Sequence, residues 1–108
     1  MIGGNDDITT YVDPAIVRKA ANRVRMWDLM DYKRPEIGPG GKPHLSEKLQ
    51  SAYDCKEQQK RLLYLSFYSE RIGEGRIIHA KSYTGKKWIP VPPGSLAETM
   101  WKFACGKK

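Results

Sequence analysis

Few residues in this chain have the type and spacing to do chemistry: two cysteines, Cys55 and Cys105, two histidines, His44 and His79, and a surplus of Lys and Arg beyond residue 36. The cysteines are too far apart for a CxxC redox pair or a zinc knuckle. Spacing alone leaves two outcomes open. One is a disulfide, which would place the chain outside the reducing cytosol; the other is two buried, unpaired thiols in a cytosolic protein, since cysteine is so often buried. Neither histidine has the neighbours of a general base. His79 follows Ile77-Ile78 in mid-strand, where a packed or half-exposed imidazole is expected. His44 stands at a loop edge beside Pro43, and a Ser46–His44 nucleophile pair lacks any defining turn motif. The carboxylates are scattered, with no two placed for acid–base work. Gly38-Pro39-Gly40-Gly41-Lys42-Pro43 ends in proline where a phosphate loop needs Ser or Thr, and Gly85-Lys86-Lys87 lacks the upstream glycine. Both read as turns. No catalytic residue, no metal site and no cofactor is expected.

Charge says more. Residues 1–36 hold six Lys/Arg and six Asp/Glu, whereas residues 37–108 hold thirteen and six, so the whole net charge of +7 lies in the later part. Such a field attracts anions: sulfated glycans, lipid phosphates, nucleic acid or acidic proteins. Lys60, Arg61, Arg76, Lys81, Lys86 and Lys87 are the expected binding residues of a basic face. The bland alternative is a solvated surface kept soluble by repulsion. Tyr64, Tyr68, Tyr83 and Trp88, interleaved with these cations, suit stacking on single-stranded nucleic acid. A nucleic-acid partner is nonetheless disfavoured, because no known motif appears and a sheet must bury aromatics anyway.

The elements that would position these groups are mostly extended. At 108 residues, 40% of them hydrophobic, the chain is sized for one modest core. Residues 1–8 read as a disordered tail and 9–108 as a single domain. Ile8 to Val12 is a short strand; Asp13 to Asn22 is either a capped helix or a strand fragment that turns at Ala20 to Asn22, and the turn is preferred. Val24 to Tyr32 carries bulk on both faces, as a central strand does. Arg34 to Pro43 reads as a long loop. Leu45 to Cys55 is a polar strand. Arg61 to Ser69 is the best strand, with Leu63, Leu65 and Phe67 expected on one face and Leu62, Tyr64 and Tyr68 on the other; it forms a hairpin with Arg76 to Tyr83. Pro92-Pro93-Gly94 then stops extended structure. Ser95 and Glu98 form a capping box, Leu96, Met100 and Phe103 a stripe with Ala97, Trp101 and Ala104 alongside, and Gly106 closes the helix. No apolar run reaches the roughly 20 residues of a membrane helix, so no transmembrane segment is expected. Met1-Ile2-Gly3-Gly4 lacks the charged start and apolar core of an export signal, so an exported form has had its signal removed.

Residues 53–105 resemble the surface-adhesin protein E-like family of Gram-negative envelope proteins. The matching features are Tyr53-Asp54-Cys55-Lys56 with Arg61 beyond, then Tyr68-Ser69 leading to Gly73-x-Gly75, and Trp88-x-Pro90. Pro93-Gly94-Ser95, Trp101 and a closing Cys105 follow. Upstream, Tyr11-x-Asp13-Pro14, Val24-x-Met26-Trp27 and Asp31-Tyr32 fit more loosely. Gln58 and Gln59 stand where the pattern has arginine.

The resemblance implies an α+β, mostly β fold: a single antiparallel sheet of about five to six strands, one C-terminal helix packed on it, and a Cys55–Cys105 disulfide. It also implies an exported, periplasmic or cell-surface protein that is no enzyme and binds a macromolecule. The partner class is a host matrix protein or an anionic glycan or lipid, with a homodimer left open. Two alternatives stand beside it: lysozyme inhibition of the adhesin-complex type, opposed by the basic charge of both partners, and a basic nucleic-acid-binding domain.

Overall fold

A computed structural model of the protein describes residues 3–4, 7–20 and 22–106. Met1, Ile2, Asn5, Asp6, Ala21, Lys107 and Lys108 lie outside the described residues, and with them part of the expected tail and of the turn at Ala20–Asn22. The elements are β1 (Gly3–Gly4), β2 (Ile8–Val12), β3 (Val17–Ala20), β4 (Arg23–Ile37), β5 (Pro43–Asp54), β6 (Gln59–Tyr68), β7 (Ile77–Ser82), β8 (Ile89–Pro90) and α1 (Leu96–Cys105). All strands join one antiparallel sheet in the order β1-β2-β4-β5-β6-β7. The short β3 pairs with β4 beyond β2, and β8 pairs with β6 beyond β7. The architecture is that of the resemblance: one antiparallel sheet, one C-terminal helix, one disulfide. Within the stretch expected as tail, Gly3–Gly4 pair with Thr9–Thr10 and Ile8 opens β2. Asp13 to Asn22 takes the preferred strand-and-turn form, with β3 folding back on Arg23–Arg25.

Two strands differ from expectation. β4 runs on to Ile37 and absorbs Arg34–Ile37, the start of the Arg34–Pro43 stretch that its three prolines and three glycines mark as loop. Its pairing with β5 breaks register between Asp31 and Glu36, and this irregularity accommodates Pro35, which has no N–H to give a regular ladder. In β6 the register slips at Gln50/Ser51, leaving Leu63 as the extra residue of a bulge. Leu62 therefore shares a face with Leu65 and Phe67, and Tyr64 and Tyr68 lie on the other with Arg61. A period-2 reading cannot anticipate such a flip.

The core lies between one end of the sheet and α1. Val24, Met26 and Tyr53 from β4 and β5 meet Met100, Trp101 and Ala104 of the helix, with Val91 from the preceding loop. The helix begins where Ser95 Oγ accepts from the Glu98 amide at 3.1 Å and ends at Gly106 in the left-handed region, φ 69°. The capping box is modified: the Glu98 carboxylate accepts from the Gly94 amide at 3.3 Å, one residue before the cap. The buried stripe is also rotated from expectation, for Leu96 and Phe103 are exposed. Two distant anchors set that rotation. Trp101 Nε1 donates to the Asp54 carbonyl at 2.9 Å, and Cys105 is bonded to Cys55 with a Cα–Cα distance of 5.6 Å. No described helix is long and apolar enough to cross a membrane.

The far end of the same face closes around His44, only 3% exposed. Its Nε2 lies 2.9 Å from the Glu47 carboxylate, which also accepts from Tyr32 OH at 2.7 Å. The ring packs on Phe67, and Phe67 stacks in turn on His79. Gly38 roofs the imidazole so closely that a Cβ there would stand 3.0 Å from His44 Nδ1. Both histidines are thus structural groups in an aromatic cluster.

Candidate functional site

The other face of the sheet carries no helix. Alternation from the register places Arg25, Trp27 and Leu29 of β4 on it, beside Lys48 and Gln50 of β5 and Arg61, Tyr64 and Tyr68 of β6. These side chains are half-buried. Trp27 and Tyr64 meet edge to face with centroids 5.5 Å apart, forming a ridge along the middle of the face. On one side of this ridge is a cavity of about 530 Å³, walled by Tyr11, Leu29, Lys48 and Tyr68. On the other is one of about 600 Å³, walled by Arg25, Arg61, Tyr83 and Lys86. Trp27 and Tyr64 line both.

A strap covers one end of this face. The β6–β7 connection folds back as a short 3-10 turn, Arg71–Gly73. Asp31, whose side chain is wholly buried, receives the Arg71 guanidinium, with Nε at 3.0 Å, and the Ile72 amide at 2.9 Å. Ser46 Oγ donates to the Glu70 carbonyl at 2.7 Å and accepts from the Gly73 amide at 2.9 Å. Ser46 is therefore spent on the strap while His44 faces Glu47, so the Ser46–His44 pair does not form. The hydrogen bond and charge of Asp31 push the Arg71 guanidinium above its usual pKa.

Across the sheet, burial pushes Asp28 up to about 7, Lys60 opposes this, and Glu47 adds to it. Burial likewise raises Tyr53 and Tyr32 above the ordinary phenol range. Among the described residues, no group of three His, Cys, Asp or Glu is placed to hold a metal ion.

The expected basic residues are partly brought together. Lys60, Arg61, Lys86 and Lys87 line one cavity of about 430 Å³ beside β8. Lys81 and Lys86 both lie over the Tyr83 ring, at 5.1 and 4.6 Å. Arg76 stands apart, its amide bonded to Ser69 Oγ beside the strap. Sequence reasoning missed Arg23, Arg25 and Trp27. The first two fall in residues 1–36, which carry no net charge, and only strand pairing carries them to the same face as Arg61. Arg23 and Arg61 both lie over the Trp88 ring, at 5.2 and 4.9 Å from its centroid.

Comparison with known proteins agrees with this architecture. Two solved structures of Haemophilus influenzae protein E are similar. One, from the non-typeable organism, has a TM-score of 0.66 at 15% identity and covers 94% of this chain and 71% of its own. The second has a TM-score of 0.66 at 14% identity, with coverages of 98% and 89%. At such identity they speak to the fold alone. No curated protein sequence matches. The family model described as surface-adhesin protein E, however, matches residues 1–106, and on that match the chain belongs to the surface-adhesin protein E family.

Proposed function

We propose that the protein is an exported, non-enzymatic domain of the bacterial envelope that binds a macromolecule as an adhesin does, through its helix-free face. The observation that carries this reading is the uncovered aromatic ridge of Trp27 and Tyr64 between two open cavities, bordered by Lys48, Arg25, Arg61 and Lys86. Half-buried aromatics flanked by cations are the composition of a binding surface more than of a solvated one. Family membership supports adhesion as the role, though fold alone does not determine function. The Cys55–Cys105 bond supports an oxidising location, periplasmic or at the cell surface.

A panel of host matrix proteins and anionic glycans, titrated at low and physiological salt, tests the reading. Saturable binding is expected to at least one, weakened by Trp27→Ala with the circular dichroism unchanged. Absence of binding across the panel would overturn it.

A further inference from the structure

The outer edge of β6 contains a gap. β8 pairs with it at Gln59–Lys60 and β7 at Tyr64–Tyr68, while between them the bulged Arg61–Leu63 segment has no strand on this outer side among the described residues. The Tyr83–Trp88 loop arches past this gap, tied by the Tyr83 amide to the Leu63 carbonyl at 2.8 Å. The cavities of about 600 and 430 Å³ lie on either side and share Arg61, Leu62 and Lys86. Among the described residues, no Asp or Glu lines either one. Lys86, Lys87, Arg25 and Arg61 meet here, and none of them is within ion-pair distance of a carboxylate among the described residues, whereas Lys60 acts on Asp28 from the other face. Arg61 Nε is buried without a hydrogen-bond partner. Four cations gathered with no carboxylate in ion-pair range repel one another, and an anion relieves that cost.

The geometry holds the cations in place without using their donors. Arg61 lies over Trp88 and Lys86 over Tyr83, and a cation held against a ring face keeps its N–H groups for charge-assisted hydrogen bonds. We infer that this gap in the sheet edge binds the sulfate groups of an acidic glycan chain, whose sugar rings continue along the Trp27–Tyr64 ridge. The inference rests on the binding role proposed above and names its ligand class.

Two other polyanions fit the gap less well. Bases need free stacking platforms. Here Trp88 is occupied by two cations, Tyr83 by two, and Tyr68 by Lys48 at 5.3 Å. A lipid headgroup brings acyl chains, and the loop tip, Thr84-Gly85-Lys86-Lys87, has no apolar side chain to meet them. An acidic glycan needs neither. It offers repeating anions on a chain long enough to leave the gap and cross the ridge.

The test is binding of the intact protein to labelled heparin oligosaccharides, with chemically desulfated heparin, single-stranded oligo-dT and phosphatidylglycerol vesicles as competing probes. Lys86→Gln/Lys87→Gln changes only exposed loop side chains and leaves the fold intact; Arg61→Gln is the second variant. Loss of two charge-assisted contacts should weaken heparin binding by about tenfold or more, while Lys42→Gln, on the distant β4–β5 connection, changes it less than about twofold. Equal losses in all variants, equal binding of desulfated heparin, or tighter binding of oligo-dT or vesicles would overturn the inference. Should matrix-protein binding survive in Lys86→Gln/Lys87→Gln while heparin never binds, the glycan assignment fails and the binding role stands.

Discussion

Trp101 and Asp54, 47 residues apart in sequence, are joined by a buried hydrogen bond from the indole Nε1 to the backbone carbonyl at 2.9 Å. The bond matters because α1 has only ten residues, too short to persist unsupported. Trp101→Phe keeps most of the ring's packing but removes the indole's hydrogen bond to that buried carbonyl. A loss of about 1–3 kcal/mol is expected in urea unfolding. An unchanged midpoint would mean the helix is held by packing and the disulfide alone.

The disulfide next to it acts on the unfolded chain. Closing the loop from Cys55 to Cys105 restricts the denatured ensemble, and Cys55→Ser/Cys105→Ser should lose roughly 4 kcal/mol. Denaturation with and without reductant reports the same quantity in the native sequence, and coincident curves would contradict it.

Asp28 predicts an unusual pH dependence. Burial lifts its pKa from 3.8 to about 7 in the folded state, with Lys60 pulling it down and Glu47 pushing it up. The folded protein therefore holds this proton over a range where the unfolded chain has released it. Stability should fall as pH rises from about 4 to about 7 and level off above that. Asp28→Asn removes the slope and should stabilise the protein at pH 8 by on the order of 2–4 kcal/mol. A variant whose unfolding keeps the native pH profile would rule Asp28 out as its source.

Arg71 and Asp31 fasten the strap over the open face. Asp31 is fully buried and Arg71 half-exposed, so the pair is partly screened. Arg71→Ala strands a buried carboxylate and should lower the urea unfolding midpoint. In a double-mutant cycle, Asp31→Asn/Arg71→Ala should cost less than the sum of the single changes. Additive losses would show that the two residues do not communicate.

Much of this architecture is legible in the residues because the signals that fix it are local. Proline and glycine before Ser95, and Gly106 after Cys105, delimit α1, since capping acts within a single turn. Bulk on both faces of Val24 to Tyr32 is enough to place that strand in the middle of the sheet. The rotation of α1 is not legible in the same way. Leu96 and Phe103 compete with Trp101 and Ala104 for the buried face, and partners far along the chain decide between them. Nor is the gap in β6 legible, because the bulge at Leu63 reverses every side chain before it relative to the alternation read from Leu65 onward. The cationic cluster illustrates both limits: Lys86 and Lys87 stand out by composition, whereas Arg25 joins them only through the β4–β5–β6 register.

The 50-residue separation of Cys55 and Cys105 has a further consequence. Every residue of the Tyr83–Trp88 loop lies inside the covalent ring that the bond closes. A trypsin-like host protease that cuts after Lys86 or Lys87 would nick the molecule without dividing it, and the two fragments would migrate as one species until a reductant released them.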